Sequence, residues 1–215
     1  LHYPLRRQRQ MCIRDRFTYP WEALKGIGEF IKKLGPTLDP EKFEKRGEDI
    51  WVAKSAKVAP TACLNGPLII DEEAEVRHCA FVRGSAIVGK GSVVGNSTEL
   101  KNDIIFNSVQ VPHYNYVGDS ILGYKSHMGA GSITSNVKSD KTLVVVKDKT
   151  TGEEIETGLK KFGAMLGDFV EVGCNSVLNP GTVMSTIAVN GNKDGVSFSI
   201  SPELPFGLTM SGTGS

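Results

Sequence analysis

VRGSAIVGKGSVVGNSTEL, residues 82–100, carries the pattern on which the fold turns. Val82, Val88, Val94 and Leu100 stand six apart, a step that belongs neither to a helix nor to a simple alternating strand. Stepping back by six continues the series through Val76, Ile70, Leu64, Val58 and Val52, all apolar and mostly β-branched. Two positions before each of these the residue is small: Ala56, Ala62, Ala74, Ala80, Ala86, Ser92 and Thr98, with Leu68 as the exception. Short flat strands separated by corners that admit only small inward side chains produce such a pattern. Glycine often follows the apolar position, as in Val88-Gly89, Val94-Gly95, Val117-Gly118, Leu122-Gly123 and Met128-Gly129. A corner that needs positive φ is the expected reason. A repeat of this kind indicates a solenoid in which each turn buries its neighbour.

Working outward, the pattern loosens after Phe106, where the repeat is expected to shorten by one residue before Val111 and so turn His113 outward, but it continues through Val111, Val117, Leu122, Met128 and Ile133. It breaks at 141–158, KTLVVVKDKTTGEEIETG, whose alternation around Thr-Thr-Gly predicts an excursion hairpin. It returns at Leu166, Val172, Leu178 and Met184. Ahead of the repeat, residues 17–49 form a leader in which YPWEALKGIGEFIKKLG has a helical rhythm. Pro20 lies near its start, Gly35 at its stop, and Trp21, Leu24, Ile27 and Ile31 form a stripe expected to cap the first coil. The repeat proper spans residues 50–184. Residues 185–215 have no hexad and are rich in Gly and Ser, so they are expected to be an irregular tail. Residues 1–16 hold five arginines and one aspartate, a charge of +4 that leaves −3 on the rest of a chain totalling +1. Within them QMCIRDR resembles translated sequencing-adapter read-through, and the segment is set aside as non-native.

Without that segment no basic patch argues for nucleic acid. No run of eighteen apolar residues argues for a membrane. The cysteines, Cys12, Cys63, Cys79 and Cys174, form no CxxC or zinc-finger spacing and fit a reducing cytoplasm. A coil of eighteen residues would stack Arg83 on Lys101, each just after an inward residue. Two cations one strand spacing apart repel unless water and salt screen them or an anion sits between them.

The hexad pattern resembles the left-handed parallel β-helix of bacterial hexapeptide-repeat transferases, so the fold class expected is an all-β solenoid with a short helical cap and a hairpin excursion. HYNYVGDSILG at 113–123 and HMGAGSITSN at 127–136 resemble the acetyltransferase half of bifunctional N-acetylglucosamine-1-phosphate uridyltransferase, which carries an HLxYLGD-type run followed by NIGAGTIT-NYDG. This resemblance covers about residues 76–142. It implies a catalytic base at His113, with Asn136 beside it and the acceptor amine. It places phosphate-binding cations at Arg83, Lys101 and Lys141, and a sugar-phosphate contact at Tyr116. His127 stands where the family has a substrate-side asparagine, and Val137 where it has tyrosine. The coenzyme contacts fall on Ala130 and Cys174.

The implied chemistry is acetyl transfer from acetyl-coenzyme A to an amino-sugar phosphate such as glucosamine-1-phosphate, with no metal, in a cytoplasmic homotrimer whose sites lie between prisms. A neutral imidazole can take the amine proton near neutral pH. The coils that complete the coenzyme site in the family have no counterpart after Met184, and no nucleotidyltransferase domain is visible. Two alternatives stay open. One is a non-catalytic sugar-phosphate-binding or trimerising β-helix of a nucleotidyltransferase-related protein. The other is a γ-carbonic-anhydrase-like metalloenzyme using His78, His113 and His127, whose intervals of 35 and 14 do not match that family's close second pair.

Overall fold

The computed structural model describes residues 17–147, 151–184, 198–199 and 209–210. The adapter-like segment 1–16 with Cys12, and most of the tail 185–215, lie outside the described residues. The body is a three-faced parallel β-solenoid. The first face has eight strands: Phe43–Gly47, Ile50–Ala53, Leu68–Ile70, Ala86–Val88, Asp103–Ile105, Ile121–Leu122, Ala164–Leu166 and Thr182–Met184. The second runs from Lys57–Val58 to Glu171–Val172 and the third from Cys63–Leu64 to Val177–Leu178, each with six strands. The chain visits the faces in turn, so every strand pairs with the one a coil later, and Val82 lies against Leu100.

Inside the prism the apolar residues form columns. Val52, Ile70, Val88, Ile105, Leu122, Leu166 and Met184 stack in register along the first face. Val76, Val82, Val88, Val94 and Leu100 are buried, as the six-residue step predicts. Val58 and Leu64 are only half-buried, because theirs are the end strands of the second and third faces. On the first face, Phe43–Gly47 closes that end by pairing antiparallel with Ile50–Ala53. Past Val117 the inward residue is Thr134 rather than Ile133, which is 37% exposed. Thr134 tolerates burial because its hydroxyl accepts the Gly118 N–H at 2.9 Å.

The corners correct two expectations. The glycines after the apolar positions do not have positive φ. That conformation falls instead further round each corner, on side-chain-bearing residues including Cys79, Ser85, Ser97, Asn102, Ser108, Tyr114 and Asp119, at φ 50–61°, and at two corners on Gly91 and Gly131. Gly89, Gly95, Gly123 and Gly129 are needed because the next coil's backbone passes too close. A Cβ on Gly129 would stand 2.6 Å from the Cys174 nitrogen. The repeat also does not shorten between Phe106 and Val111. It shortens at the corner between the third and first faces, in two successive coils. Seventeen residues, not eighteen, separate the paired Leu100 and Val117, and the lost residue comes out at Asn102. The same contraction recurs at Asp119. His113 therefore sits in a full-length hexad.

The helical cap is present, with Pro20–Gly26 as a 3-10 segment and Ile27–Leu34 as an α-helix. It lies on the outside of the first face, against Leu68–Ile70 and Ala86–Val88. That face alone carries a continuous apolar outer row, Ile69, Ile87, Ile104, Ile121 and Met165, all at most 6% exposed. The cap's buried residues are the predicted stripe, Trp21, Leu24, Ile27 and Ile31. Gly35 does not stop the helix by a left-handed turn. Its φ is −50° and the chain runs on as a 3-10 turn to Thr37. Glycine is required there because the Trp51 indole packs where a Cβ would be. The predicted hairpin forms from Val145–Lys147 and Glu154–Glu156, with Val144, Val146, Leu159 and Phe162 buried beneath it. Phe162 meets Trp21 at 5.8 Å between ring centroids, tying the excursion to the cap.

Candidate functional site

A polar cluster lies at the shortened corner, where the third face turns into the first. Lys101, Asn102, Tyr116, Asp119 and Asn136 reach it from three successive coils. At its centre is Asp119, 4% exposed. Its carboxylate accepts from Lys101 Nζ at 2.9 Å on both oxygens, from Asn102 Nδ2 at 2.9 Å and from Asn136 Nδ2 at 2.6 Å. Asn136 Nδ2 also donates to the Tyr116 hydroxyl at 3.2 Å. The phenol lies along the third face toward this corner, and Gly118 makes room for it, since a Cβ there would stand 2.5 Å from the Tyr116 oxygen. Burial, then the nearby Asp119 charge, push the Tyr116 hydroxyl above its ordinary pKa, keeping it a proton donor.

Beneath the corner Asp103 points into the prism. Its oxygens accept the backbone N–H groups of Lys101 at 2.6 Å and Ser120 at 2.9 Å, and burial pushes its carboxyl well above the usual range. The tightened corner is thus held from inside by Asp103 and from outside by Asp119. The hairpin excursion leaves and returns here: Phe162 N–H donates to the Asn136 carbonyl at 3.0 Å and Gly163 N–H to the Asp119 carbonyl at 2.9 Å.

Arg83 and Lys101 do stack one coil apart, but they do not stand as bare cations. Arg83 pairs with Glu99 at 2.9 Å and Lys101 with Asp119. The carboxylates supply the opposite charge that the stack needs, so the expected repulsion is already relieved. The Arg83–Glu99 pair is open to water and readily exchanged, whereas Lys101–Asp119 is mostly covered. Lys141 lies in the excursion, exposed, with its backbone N–H bonded to the Lys138 carbonyl.

His113 is elsewhere. It ends the strand Gln110–His113 on the second face, exposed, at the corner leading into the third. Its backbone N–H is bonded to Asn115 Oδ1 at 3.1 Å. Asn96 lies beside it in the coil before. In the coil after, the Gly131 N–H donates to the His113 carbonyl, which brings Ala130 next to it, and the Asn175 N–H donates to the Ala130 carbonyl, which brings Cys174 above. His113 and Asp119 stand six residues apart at the two corners of the third face, with the strand Tyr116–Gly118 between them and left-handed turns at Tyr114 and Asp119, a span of roughly 15 Å. One chain therefore does not bring His113 together with Lys101 and Asn136. His127 is also on the second face, bonded through Nδ1 to Glu171 at 2.7 Å, and not in the cluster. Of the histidines in the three-histidine alternative, His78 is bonded to Thr61 Oγ1 at 2.9 Å and His127 to Glu171, and among the described residues of one chain no three His, Cys, Asp or Glu side chains form a metal-holding group.

Glu99, Asn102, Asp103 and Asp119 were not foreseen. The signal available was the pair of five-residue steps, Leu100 to Ile105 and Val117 to Leu122, which mark a corner that must be held differently.

Residues 64–196 match the family described as the GMPPB C-terminal domain. The chain is 31% identical over 191 residues to the bifunctional protein GlmU of Methanococcus maripaludis, covering 80% of this chain and 42% of that protein. It is 35% identical over 180 residues to GlmU of Methanococcus aeolicus, covering 75% and 39%. A bifunctional sugar-1-phosphate nucleotidylyltransferase/acetyltransferase of Sulfurisphaera tokodaii is 31% identical over 143 residues, 58% of this chain and 35% of that one. The chain thus spans about two fifths of the length of the curated relatives it matches most extensively. Among solved structures, a putative acetyltransferase of Bacillus cereus aligns with a TM-score of 0.47 at 18% identity, over 62% of this chain and 67% of that one. The hexad columns, the three parallel faces and the matched span together show that this chain belongs to the GMPPB C-terminal domain family, with the hexapeptide-repeat, left-handed β-helix fold related to the acetyltransferase domain of GlmU.

Proposed function

We propose that this domain transfers an acetyl group from acetyl-coenzyme A to the amine of an amino-sugar phosphate. The observation that carries the reading is the corner cluster: Lys101 and Tyr116, matched to the family's sugar-phosphate contacts, and Asn136, matched to the asparagine beside the acceptor amine, join in one hydrogen-bonded group around Asp119. The exposed Arg83 swings from the half-buried Glu99 to the phosphate, and Lys101 adds a point charge beside it. Holding the phosphate orients the amine, and orientation is a large part of rate. His113 takes the amine proton as nitrogen attacks the thioester carbonyl. The N–C bond forms, the C–S bond breaks, and the departing thiolate is protonated. The small Ala130 and the exposed Cys174, stacked above His113, leave the shelf along which the donor's thioester arm would lie.

Because His113 and the cluster occupy opposite edges of the third face, the site is completed between copies, one prism's His113 edge meeting its neighbour's Lys101 edge. A homotrimer of three-faced prisms closes such contacts. A second reading, a sugar-phosphate-binding or assembly domain without catalysis, is favoured by one observation: two of the three phosphate cations, Arg83 and Lys101, are already carboxylate-paired.

Calorimetry tests the anion site. Glucosamine-1-phosphate and N-acetylglucosamine-1-phosphate should bind the wild type, and the Arg83→Ala/Lys101→Ala variant should bind each about 10- to 100-fold more weakly, the worth of hydrogen bonds to charged groups. Equal affinity in the variant would place the site elsewhere.

A further inference from the structure

Asp119 is held so firmly that it can dictate which way its neighbours face. It occupies a left-handed corner at φ 50°. Its N–H donates to the Lys101 carbonyl at 2.8 Å and its carbonyl accepts from Gly163 N–H at 2.9 Å, so the backbone is pinned on both sides. Its carboxylate is nearly inaccessible and can only accept.

That one-way demand propagates. Asn136 has two amide hydrogens, and Nδ2 meets two acceptors, Asp119 Oδ2 and the Tyr116 oxygen. The reverse orientation would set the amide oxygen against a carboxylate at 2.6 Å, two acceptors with no proton between them, so the network assigns the amide without ambiguity. Both donors being committed, Asn136 offers Oδ1 outward as an acceptor. The Tyr116 oxygen accepts a hydrogen bond from Asn136 Nδ2, so its own O–H is left to donate. Lys101 has three N–H groups; its contacts to the two Asp119 oxygens leave one to point away. The open side of the corner therefore presents one acceptor and two donors. That is the complement of an amine carried next to a phosphate, with the amine N–H on Asn136 Oδ1 and phosphate oxygens on Tyr116 and Lys101.

We propose that Asp119 is the positioning residue that fixes the donor–acceptor polarity of the acceptor site, acting through Asn136 and Lys101 rather than by touching the substrate. This rests on the amino-sugar-phosphate reading for its ligand, but not for its internal geometry. Glu99, by contrast, only neutralises an exposed arginine and imposes no such direction.

The test uses the full chain and three variants, Asp119→Asn, Asn136→Ala and their combination. Side-chain amide spectra on 15N-labelled protein come first, with the Asn136 pair identified by its loss in Asn136→Ala. In the wild type this pair should be protected from solvent exchange, and in Asp119→Asn the protection should disappear while the backbone spectrum keeps its dispersion. Glucosamine-1-phosphate affinity comes second. Each single variant should bind about tenfold more weakly or worse, and the double variant should lose less than the product of the two single penalties, because residues acting partly through one another are not additive. An unchanged Asn136 pair in Asp119→Asn, or penalties that simply multiply, would overturn the proposal. A wild type that binds no sugar phosphate would sink the ligand reading, and the amide spectra would still decide the Asp119–Asn136 coupling.

Discussion

Replacing His113 with alanine is expected to lower acetyl transfer to glucosamine-1-phosphate by about 10²–10⁴-fold, the usual worth of a placed general base. Sugar-phosphate affinity should hardly change. The reason for the split is geometric. His113 is an exposed side chain at the far edge of the third face from Lys101, Tyr116 and Asn136, so it contributes nothing to holding the phosphate in its own chain. Nothing in the packing depends on it either, so the thermal midpoint should stay where it is. The assay is steady-state thioester consumption beside calorimetry on the same preparations. Normal turnover in the variant would remove His113 from the mechanism. A parallel loss of sugar-phosphate affinity would mean that it binds rather than accepts a proton.

The second large effect is on the fold. Val88→Asp is expected to leave little folded protein. Val88 is fully buried between Ile70 and Ile105 in the column that runs the length of the first face. A carboxylate there has no partner, and an unpaired buried charge costs several kcal/mol, of order ~3–5, against a domain stability of about 5–15 kcal/mol. Ile87→Asp, one residue along, strikes the outer row under the helical cap and should peel the cap first. Denaturant titration followed by far-UV dichroism distinguishes them. A Val88→Asp protein with a wild-type midpoint would mean that the column is not the core.

The solenoid was legible in the sequence because its period is set by packing. One residue in six must face inward and be apolar, whatever the chain does between. Val82, Val88, Val94 and Leu100 report that constraint directly. The cap was legible as a helical stripe, but not where it docks, since the apolar row that receives it, Ile69, Ile87, Ile104 and Ile121, stands one residue from the inward column and reads as part of the same run. The glycines misled for a different reason. Glycine serves positive φ and close approach equally well in sequence, and here the next coil's backbone, not the dihedral, decided its use. At the site, the spacing of Arg83 and Lys101 placed both correctly on one edge, but their counter-charges were invisible. Glu99 and Asp119 become neighbours of those cations only through the register of adjacent coils, and Asp119 only because a corner loses a residue. His113 was legible as a residue that packing does not need. Its separation from the cluster was not, because the eighteen-residue stack says which residues lie above one another and nothing about the width of a face.

Product formation by the wild-type chain is the direct measurement of the proposed acetyl transfer to an amino-sugar phosphate. Incubated with acetyl-coenzyme A and glucosamine-1-phosphate, it should consume thioester only when the sugar phosphate is present, with mass spectrometry finding N-acetylglucosamine-1-phosphate in equal amount. No thioester consumption at sugar-phosphate concentrations that calorimetry shows to saturate the site would contradict the claim and leave a binding domain in its place.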